Sequence, residues 1–312
     1  MSISASHLMD MLGAVVLAAV GGEFFLKGVL GVAASLRLPK LLVATSLAAF
    51  ATSSPELTVS VVAALAGKPE IGLGDALGSN VVNIALVFGV ALLFGPIRLE
   101  RRDLGRDFVL ALAVPVLTLW FVFDGIVTRW EGCFLLLIFA VWIGLLTRAG
   151  LAARGPEGVG EEALWRSLLF AVAGLLALVL AGRLFVGGAT AVAAAFSIDA
   201  YIVGAILVAI GTSLPELVTV LLARMRGHDD IGIGTLLGSN LFNGLAIVGI
   251  AASIHPIVAR PAEVAVALGV GALSLLLLIP GRSLTISRGR GLVLLAAYAI
   301  FVAVTIGAGQ QG

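Results

Sequence analysis

The chain has 312 residues, with 19 Lys+Arg against 18 Asp+Glu, a formal net charge of +1 and a single cysteine. Hydrophobic residues make up 60% and charged residues 12%, where a soluble domain carries about 25% charged, so a conventional cytosolic enzyme is excluded. Neutral balance without a long basic block gives nucleic acid nothing to bind. Cys133 alone excludes a disulfide framework, and His7, His228 and His255 are too scattered for a histidine metal cage.

A helix crossing about 30 Å of hydrocarbon needs roughly 20 mostly apolar residues. Ten such stretches follow along the chain, over 11–34, 41–66, 71–95, 107–125, 131–150, 165–196, 201–223, 231–255, 262–280 and 291–309. They are continuously apolar rather than alternating, which argues against a β-barrel. The start of the chain lacks a basic leader, and its first apolar run is long enough to span, so no cleavable signal is expected.

Charge fixes an expected orientation. If the N-terminus lies outside, the cytoplasmic loops hold fourteen Lys and Arg, among them Arg101, Arg102, Arg224 and Arg226. The outer loops hold three: Lys68, Arg129 and Arg260. That asymmetry favours ten spans with both termini outside. The expected organisation is a first five-helix half over 1–151, a short cytoplasmic linker over 152–163 (Ala152 to Glu162 being its polar core) and a second half over 164–312.

The halves repeat. A shift of 160 residues superposes Val43–Leu57 (VATSLAAFATSSPEL) on Val203–Leu217 (VGAILVAIGTSLPEL), and Ile71–Asn83 (IGLGDALGSNVVN) on Ile231–Asn243 (IGIGTLLGSNLFN). Roughly 19 of 48 aligned positions are identical. Five spans per half is an odd number, so the second copy enters the membrane from the opposite side. Inverted repeats of that kind are the architecture of secondary transporters, with substrate held near the midplane.

The repeat carries polar residues into lipid. Glu56 and Glu216 fall near the middle of spans two and seven, where a charge costs a few kcal/mol, from about 2.5 upward. Each follows a proline, Pro55 or Pro215, which removes a backbone donor and opens the helix. Freed carbonyls near Thr52 and Thr212 are tolerated only in protein or against a wet cavity. A carboxylate, nearby hydroxyls and loosened carbonyls, presented twice, are hard oxygen ligands suited to Ca²⁺ and Na⁺, and two glutamates balance one divalent cation. Thr52, Ser53, Thr212 and Ser213 add neutral oxygens. In spans three and eight, Gly78-Ser79-Asn80 and Gly238-Ser239-Asn240 are expected to interrupt their helices. Ser79 with Asn83, and Ser239 with Asn243, share a face at i,i+4. The expected fold is therefore an all-α membrane protein of ten helices in two inverted repeats, with helices 2, 3, 7 and 8 broken at the core.

Other intramembrane charges stay open. Glu23 and Lys27 are spaced to neutralise each other. Asp75 reads either as a solvated helix-start residue or as an acidic gateway. Asp229 and Asp230 read as an exposed turn, while Cys133, Trp120, Trp130, Trp142 and Trp165 read as lipid-facing or interfacial.

The paired ATSSPEL and GTSLPEL segments, each followed by GSNxxN, resemble the two α-repeats of the cation/Ca²⁺ exchanger superfamily, most nearly its prokaryotic sodium/calcium exchanger branch. The resemblance covers almost the whole chain. It implies that Glu56 and Glu216 bind Ca²⁺ and also face Na⁺, and that backbone oxygens of Thr52 and Thr212 join the Ca²⁺ shell. It implies that Thr52, Ser53, Ser79, Thr212, Ser213 and Ser239 help form Na⁺ sites, that Asn83 and Asn243 line the centre, and that spans one and six slide to switch access. Some relatives carry aspartate where this chain has Asn243, and Asp75 stands where Asn is frequent. The expected function is antiport of Ca²⁺ against Na⁺ in the direction of Ca²⁺ extrusion, in the inner (plasma) membrane. Ca²⁺ and Na⁺ are then cargo, with no resident cofactor and no required oligomer. A Ca²⁺/H⁺ or K⁺-assisted exchanger is the nearest alternative and a passive cation channel a further one. An intramembrane hydrolase lacks a nucleophile–His pair.

Overall fold

The computed structural model describes residues 5–67, 69–98, 105–153, 161–195, 206, 209–259, 261–279 and 284–309. Most of the predicted linker, and the first part of the seventh apolar stretch, lie outside the described residues. The architecture is helical. In the first half run α1 (Ala5–Leu36), α2 (Lys40–Val43), a π-helical turn (Ala44–Ala48), α3 (Ala49–Thr52), α4 (Ser54–Leu65), α5 (Pro69–Val81), a second π turn (Val82–Val87), α6 (Phe88–Leu93), the two-residue strand β1 (Ile97–Arg98), α7 (Arg106–Val122), β2 (Ile126–Val127) and α8 (Arg129–Ala152). The second half runs α9 (Glu161–Ala195), α10 (Ala209–Thr212), α11 (Leu214–Met225), α12 (Asp229–Leu241), a π turn (Phe242–Ile247), α13 (Val248–Ile254), β3 (Ile257–Val258), α14 (Pro261–Leu277), β4 (Thr285–Ile286) and α15 (Arg288–Gly309).

The sequence repeat has a counterpart in these elements. Shifted by 160 residues, α4, α5 and the second π turn begin and end where α11, α12 and the third π turn do. The short strands pair across the halves, β1 with β4 and β2 with β3, both antiparallel. Where they are described, the predicted apolar stretches fall largely on helical segments, several of them made of consecutive α and π turns. Six described helices are long and apolar enough to cross a membrane, or seven with the bent pair Lys40–Thr52 and Ser54–Leu65, while α7 and α14 have 17 residues each. The chain is a membrane protein whose outer faces are rich in exposed Leu, Val, Phe and Trp.

Helix breaks occur at the two prolines. Ser53 (φ −82°, ψ 8°) and Ser213 (φ −84°, ψ 9°) leave helical geometry just before Pro55 and Pro215, and the first pair of helices meets at 45°. Proline has no N–H to give the carbonyl four residues back, which leaves Ala51 and Gly211 without that donor. The predicted breaks in helices 3 and 8 are corrected. Pro69–Leu93 and Asp229–Ile254 run on without interruption, widening into π turns just past the Gly-Ser-Asn segments. Gly238 serves close approach instead: a Cβ built on it would stand 2.6 Å from Ala49 Cβ. A helical glycine costs about 0.5–1 kcal/mol, which packing at that distance offsets.

Trp142 is a second correction. It is buried, its indole N–H donates to Asp107 Oδ1 at 2.8 Å, and its ring meets Phe139 and Phe242. Asp107 supplies the partner that a buried indole requires; Trp120, Trp130 and Trp165 are exposed as expected. Asp229 and Asp230 do not form an exposed turn either. They open α12 half-buried, with Asp229 accepting two bonds from Arg224 Nη1 at 2.6 and 2.8 Å.

The buried apolar residues form two separate clusters. The larger joins α3–α8 to α10–α15, and the smaller joins α1, α2 and the first π turn to α9, with single residues of α11 and α12. Within the smaller one, α1 and α9 lie along each other through glycines: a Cβ on Gly174 would fall 2.6 Å from the Gly21 carbonyl oxygen. Overpacking such a contact costs typically about 1–3 kcal/mol. Gly174→Ala should therefore lower the thermal midpoint of the detergent-solubilised protein. Gly144→Ala, at a position with nothing within 4 Å of the added methyl, should leave it unchanged or raise it.

Candidate cation-binding site

The helix breaks place charge against dipole. Glu56 and Glu216 occupy the first turns of α4 and α11, where unpaired N–H groups and the positive end of the helix favour a carboxylate. The preceding helices α3 and α10 end at the same places, presenting carbonyl oxygens. Both glutamates are fully buried.

Each carboxylate is held from the other half of the chain. Ser53 Oγ donates to Glu216 Oε1 at 3.2 Å, and its repeat mate Ser213 Oγ donates to Glu56 Oε1 at 3.3 Å. Ser239 Oγ adds a bond to Glu216 Oε1 at 3.0 Å. The hydroxyls cross as well, Thr52 Oγ1 lying 3.5 Å from Ser239 Oγ and Thr212 Oγ1 3.5 Å from Ser79 Oγ. Ser53, Ser79, Ser213 and Ser239 are buried with the acids, as are Thr52 and Thr212. Thr52 Oγ1 also donates to Ala48 O at 3.1 Å, so its lone pairs are what it offers the site.

The amides form the adjoining layer. Asn83 Nδ2 donates to Asn240 Oδ1 at 3.2 Å. Asn80 and Asn240 exchange side-chain amide donors for each other's backbone carbonyls, at 3.3 and 3.4 Å. Asn243 is buried, and neither of its amide atoms has a partner. Glu56 Oε2, Glu216 Oε2 and Asn83 Oδ1 are likewise buried without a hydrogen bond.

All ten sequence-predicted residues thus lie buried on the paired core elements. Sequence reasoning left Asn80 and Asn240 out of the site, although both stand inside the repeated GSN segments. It also left Asp75 undecided. The solvated reading of Asp75 is corrected, because it is buried and accepts from Thr212 Oγ1 at 3.3 Å. Its i,i+4 relation to Ser79 was the available signal. Glu23 pairs with Lys27 at 3.3 Å as spaced, and also with Arg226 at 2.8 Å.

Chemically, this is a buried oxygen cage. Carboxylate oxygens without donors are costly in low dielectric unless a cation meets them, and hard oxygens select Na⁺, Ca²⁺ and similar ions over soft metals. Among the described residues no three His, Cys, Asp or Glu side chains cluster as metal ligands. Hydroxyl, amide and carbonyl oxygens would complete any shell.

The profile of the sodium/calcium exchanger protein family matches residues 8–148 and 166–307. CaxA of Alkalimonas amylolytica is 33% identical over 88% of this chain and 90% of its own length. Sodium/calcium exchanger MaX1 of Methanosarcina acetivorans is 28% identical over 97% and 99%. The fold is similar to solved structures of the sodium-calcium exchanger NCX_Mj; the one soaked with Na⁺ and no Ca²⁺ has a TM-score of 0.84 and 27% identity, covering 95% of this chain and 98% of that one.

The reciprocal amide pair generates a prediction about stability. Contacting residues in one hydrogen-bond network couple by about 0.5–3 kcal/mol. Asn80→Ala and Asn240→Ala should each lower the thermal midpoint, and the double variant should lose less than the sum of the two.

Proposed function

Because the chain belongs to the sodium/calcium exchanger family, we propose that it is a secondary-active antiporter that moves Ca²⁺ against Na⁺ by alternating access, extruding Ca²⁺ across the inner membrane. The observation that carries this reading is the reciprocal bonding of Glu56 and Glu216 by serines of the opposite half, with one oxygen of each acid left open. Ca²⁺ sits between the two glutamates, completed by carbonyl oxygens of the α3 and α10 ends near Thr52 and Thr212. Na⁺ takes the hydroxyl corners, Thr52 with Ser53 and Ser239 on one side, Thr212 with Ser213 and Ser79 on the other. Asn83 and Asn243 line the middle.

Two positive charges from Ca²⁺, or an equivalent set of Na⁺ ions, neutralise the pair and lower the barrier to moving the loaded site through a low-dielectric core. An empty site keeps uncompensated charge and is the form least able to cross, which couples the two fluxes. Glu56 and Glu216 have no solvent exposure, which suits an occluded intermediate.

The architecture we infer is ten spans in two inverted five-helix repeats, 1–151 and 164–312, joined by a short linker. The loop charges support both termini lying outside. The repeated helix order, and the two ribbons that pair β1 with β4 and β2 with β3, support the inverted relation.

In proteoliposomes an imposed Na⁺ gradient should drive uptake of radiolabelled Ca²⁺, and a K⁺ or pH gradient alone should not. Glu56→Gln and Glu216→Gln should each reduce that uptake to background, while the solubilised variants still fold. Wild-type uptake retained in both variants would sink the assignment of the acids, and uptake driven by the pH gradient alone would replace Na⁺ by H⁺ as the coupling ion.

A further inference from the structure

The two short ribbons carry unequal charge. At the ribbon of β2 and β3 the charged groups are answered: Glu131 caps α8 through Thr128, Asp124 accepts from the backbone N–H of Ile126, and Arg129 donates to the Ile254 carbonyl at 3.2 Å. At the ribbon of β1 and β4 arginine gathers instead. Arg98 ends β1, Arg288 opens α15 just past β4, and Arg224, near the end of α11, donates to the Pro96 carbonyl at 3.1 Å. Two of these side chains meet at Gly95. A Cβ built there would stand 2.6 Å from Arg224 Nη2 and 4.0 Å from Arg288 Nη2, so two guanidiniums converge on one turn of backbone.

Only part of that charge is met. Asp229 takes two bonds from Arg224 Nη1, at 2.6 and 2.8 Å, which accounts for one guanidinium. The ion pairs among the described residues include neither Arg288 nor Arg98. Arg288 also stands in the first turn of α15, which holds no acid and where the backbone itself presents positive potential. Apolar surface adjoins the cluster: Phe94 is 55% and Leu93 41% exposed at the end of α6, and Leu292 is 61% exposed one turn into α15. The two helices pack together through Gly89 and Gly291, which keeps these side chains beside the ends that bear the arginines. Guanidinium forks match the oxygens of a phosphate diester, and the apolar neighbours match acyl chains carried by the same molecule.

We propose that Arg288, Arg224 and Arg98 form a binding site for the phosphate headgroup of an anionic phospholipid, whose chains lie along Phe94, Leu93 and Leu292. This inference depends on the chain spanning a membrane and not on which ions it exchanges. The site lies at the end that the loop charges assign to the cytoplasmic leaflet, where anionic lipid attracts basic residues next to membrane spans. The bound headgroup cancels the repulsion between the guanidiniums. Because β1 and β4 come from different halves of the chain, an occupied site also fastens the two halves along that edge.

Titrating the detergent-solubilised protein with phosphatidylglycerol, phosphatidylcholine or inorganic phosphate tests it, read as the thermal midpoint, which a ligand of the folded state raises. The wild-type midpoint should rise saturably with phosphatidylglycerol and not with the other two. Arg288→Gln should need about fivefold more phosphatidylglycerol for half the rise, the worth of one basic residue beside an anionic surface. Its midpoint without lipid should equal or exceed that of the wild type, because a repulsion has been removed. Arg148→Gln, which takes the same charge from an exposed position on α8, should titrate as the wild type does. Equal rises with phosphatidylglycerol and phosphatidylcholine overturn the proposal, as does an unchanged titration in Arg288→Gln. An equal weakening in Arg148→Gln also overturns it, by making the effect one of diffuse charge. A full rise with inorganic phosphate replaces the lipid by a free anion and overturns it too. Should Arg288→Gln fail to fold, native mass spectrometry decides: retention of phosphatidylglycerol over phosphatidylcholine by the wild type, lost in Arg98→Gln, supports the site, and equal retention of the two lipids overturns it. None of these outcomes measures Ca²⁺ flux, so the exchanger reading stands or falls separately.

Discussion

An ionised carboxylate buried at membrane depth must be met by opposite charge or by donors, and Glu56 and Glu216 are each met from the other half of the chain. Ser53 reaches Glu216 and Ser213 reaches Glu56, while Ser239 of the second half adds a further bond to Glu216. The remaining features serve that requirement. Pro55 and Pro215 break the helices so that each acid lies at a helix start, where the backbone favours negative charge. The glycines of α12 bring its serine-bearing face against the first half, Gly238 standing where a side chain would collide with Ala49.

The same break supplies both halves of an ion cage from one segment. A helix end offers carbonyl oxygens and the next helix start offers N–H groups, within a few residues and without any added loop. This explains how a core with so few charged residues can hold cations. Most of its oxygens are neutral, and the charge is concentrated in side chains whose second oxygen stays open. Neutral ligands hold an ion without trapping it, as a carrier that releases on the far side requires.

Much of this was legible in the sequence because lipid makes polar residues conspicuous. Glu56 and Glu216 stand out in apolar runs, and the 160-residue shift pairs them without a gap. The prolines also announce the helix breaks correctly. The Gly-Ser-Asn segments misled, because glycine in a helix signals either a break or a close contact, and only the neighbouring backbone decides which. Here the neighbour is the Thr45–Ala49 segment, and the helix continues into a π turn. Trp142 and Asp75 misled for a related reason. Hydropathy and position along a span do not say which side of a helix faces protein, and Asp107 and Thr212, their partners, come from sequence positions 35 and 137 residues away.

The division of the interior into two apolar clusters has a mechanical consequence. The boundary between them passes between Ala48, which belongs with α1 and α9, and Ala49, which belongs with the larger body, one turn ahead of Thr52 and Ser53. The larger body is stapled at both ends by the paired ribbons, whereas α1 and α9 carry no strand and meet each other through glycine. Opening along that boundary would leave the staples intact and unwrap the oxygens one face at a time. The interior is thus divided between one large body and a smaller cluster around two long helices, and the line between them runs beside the buried acids.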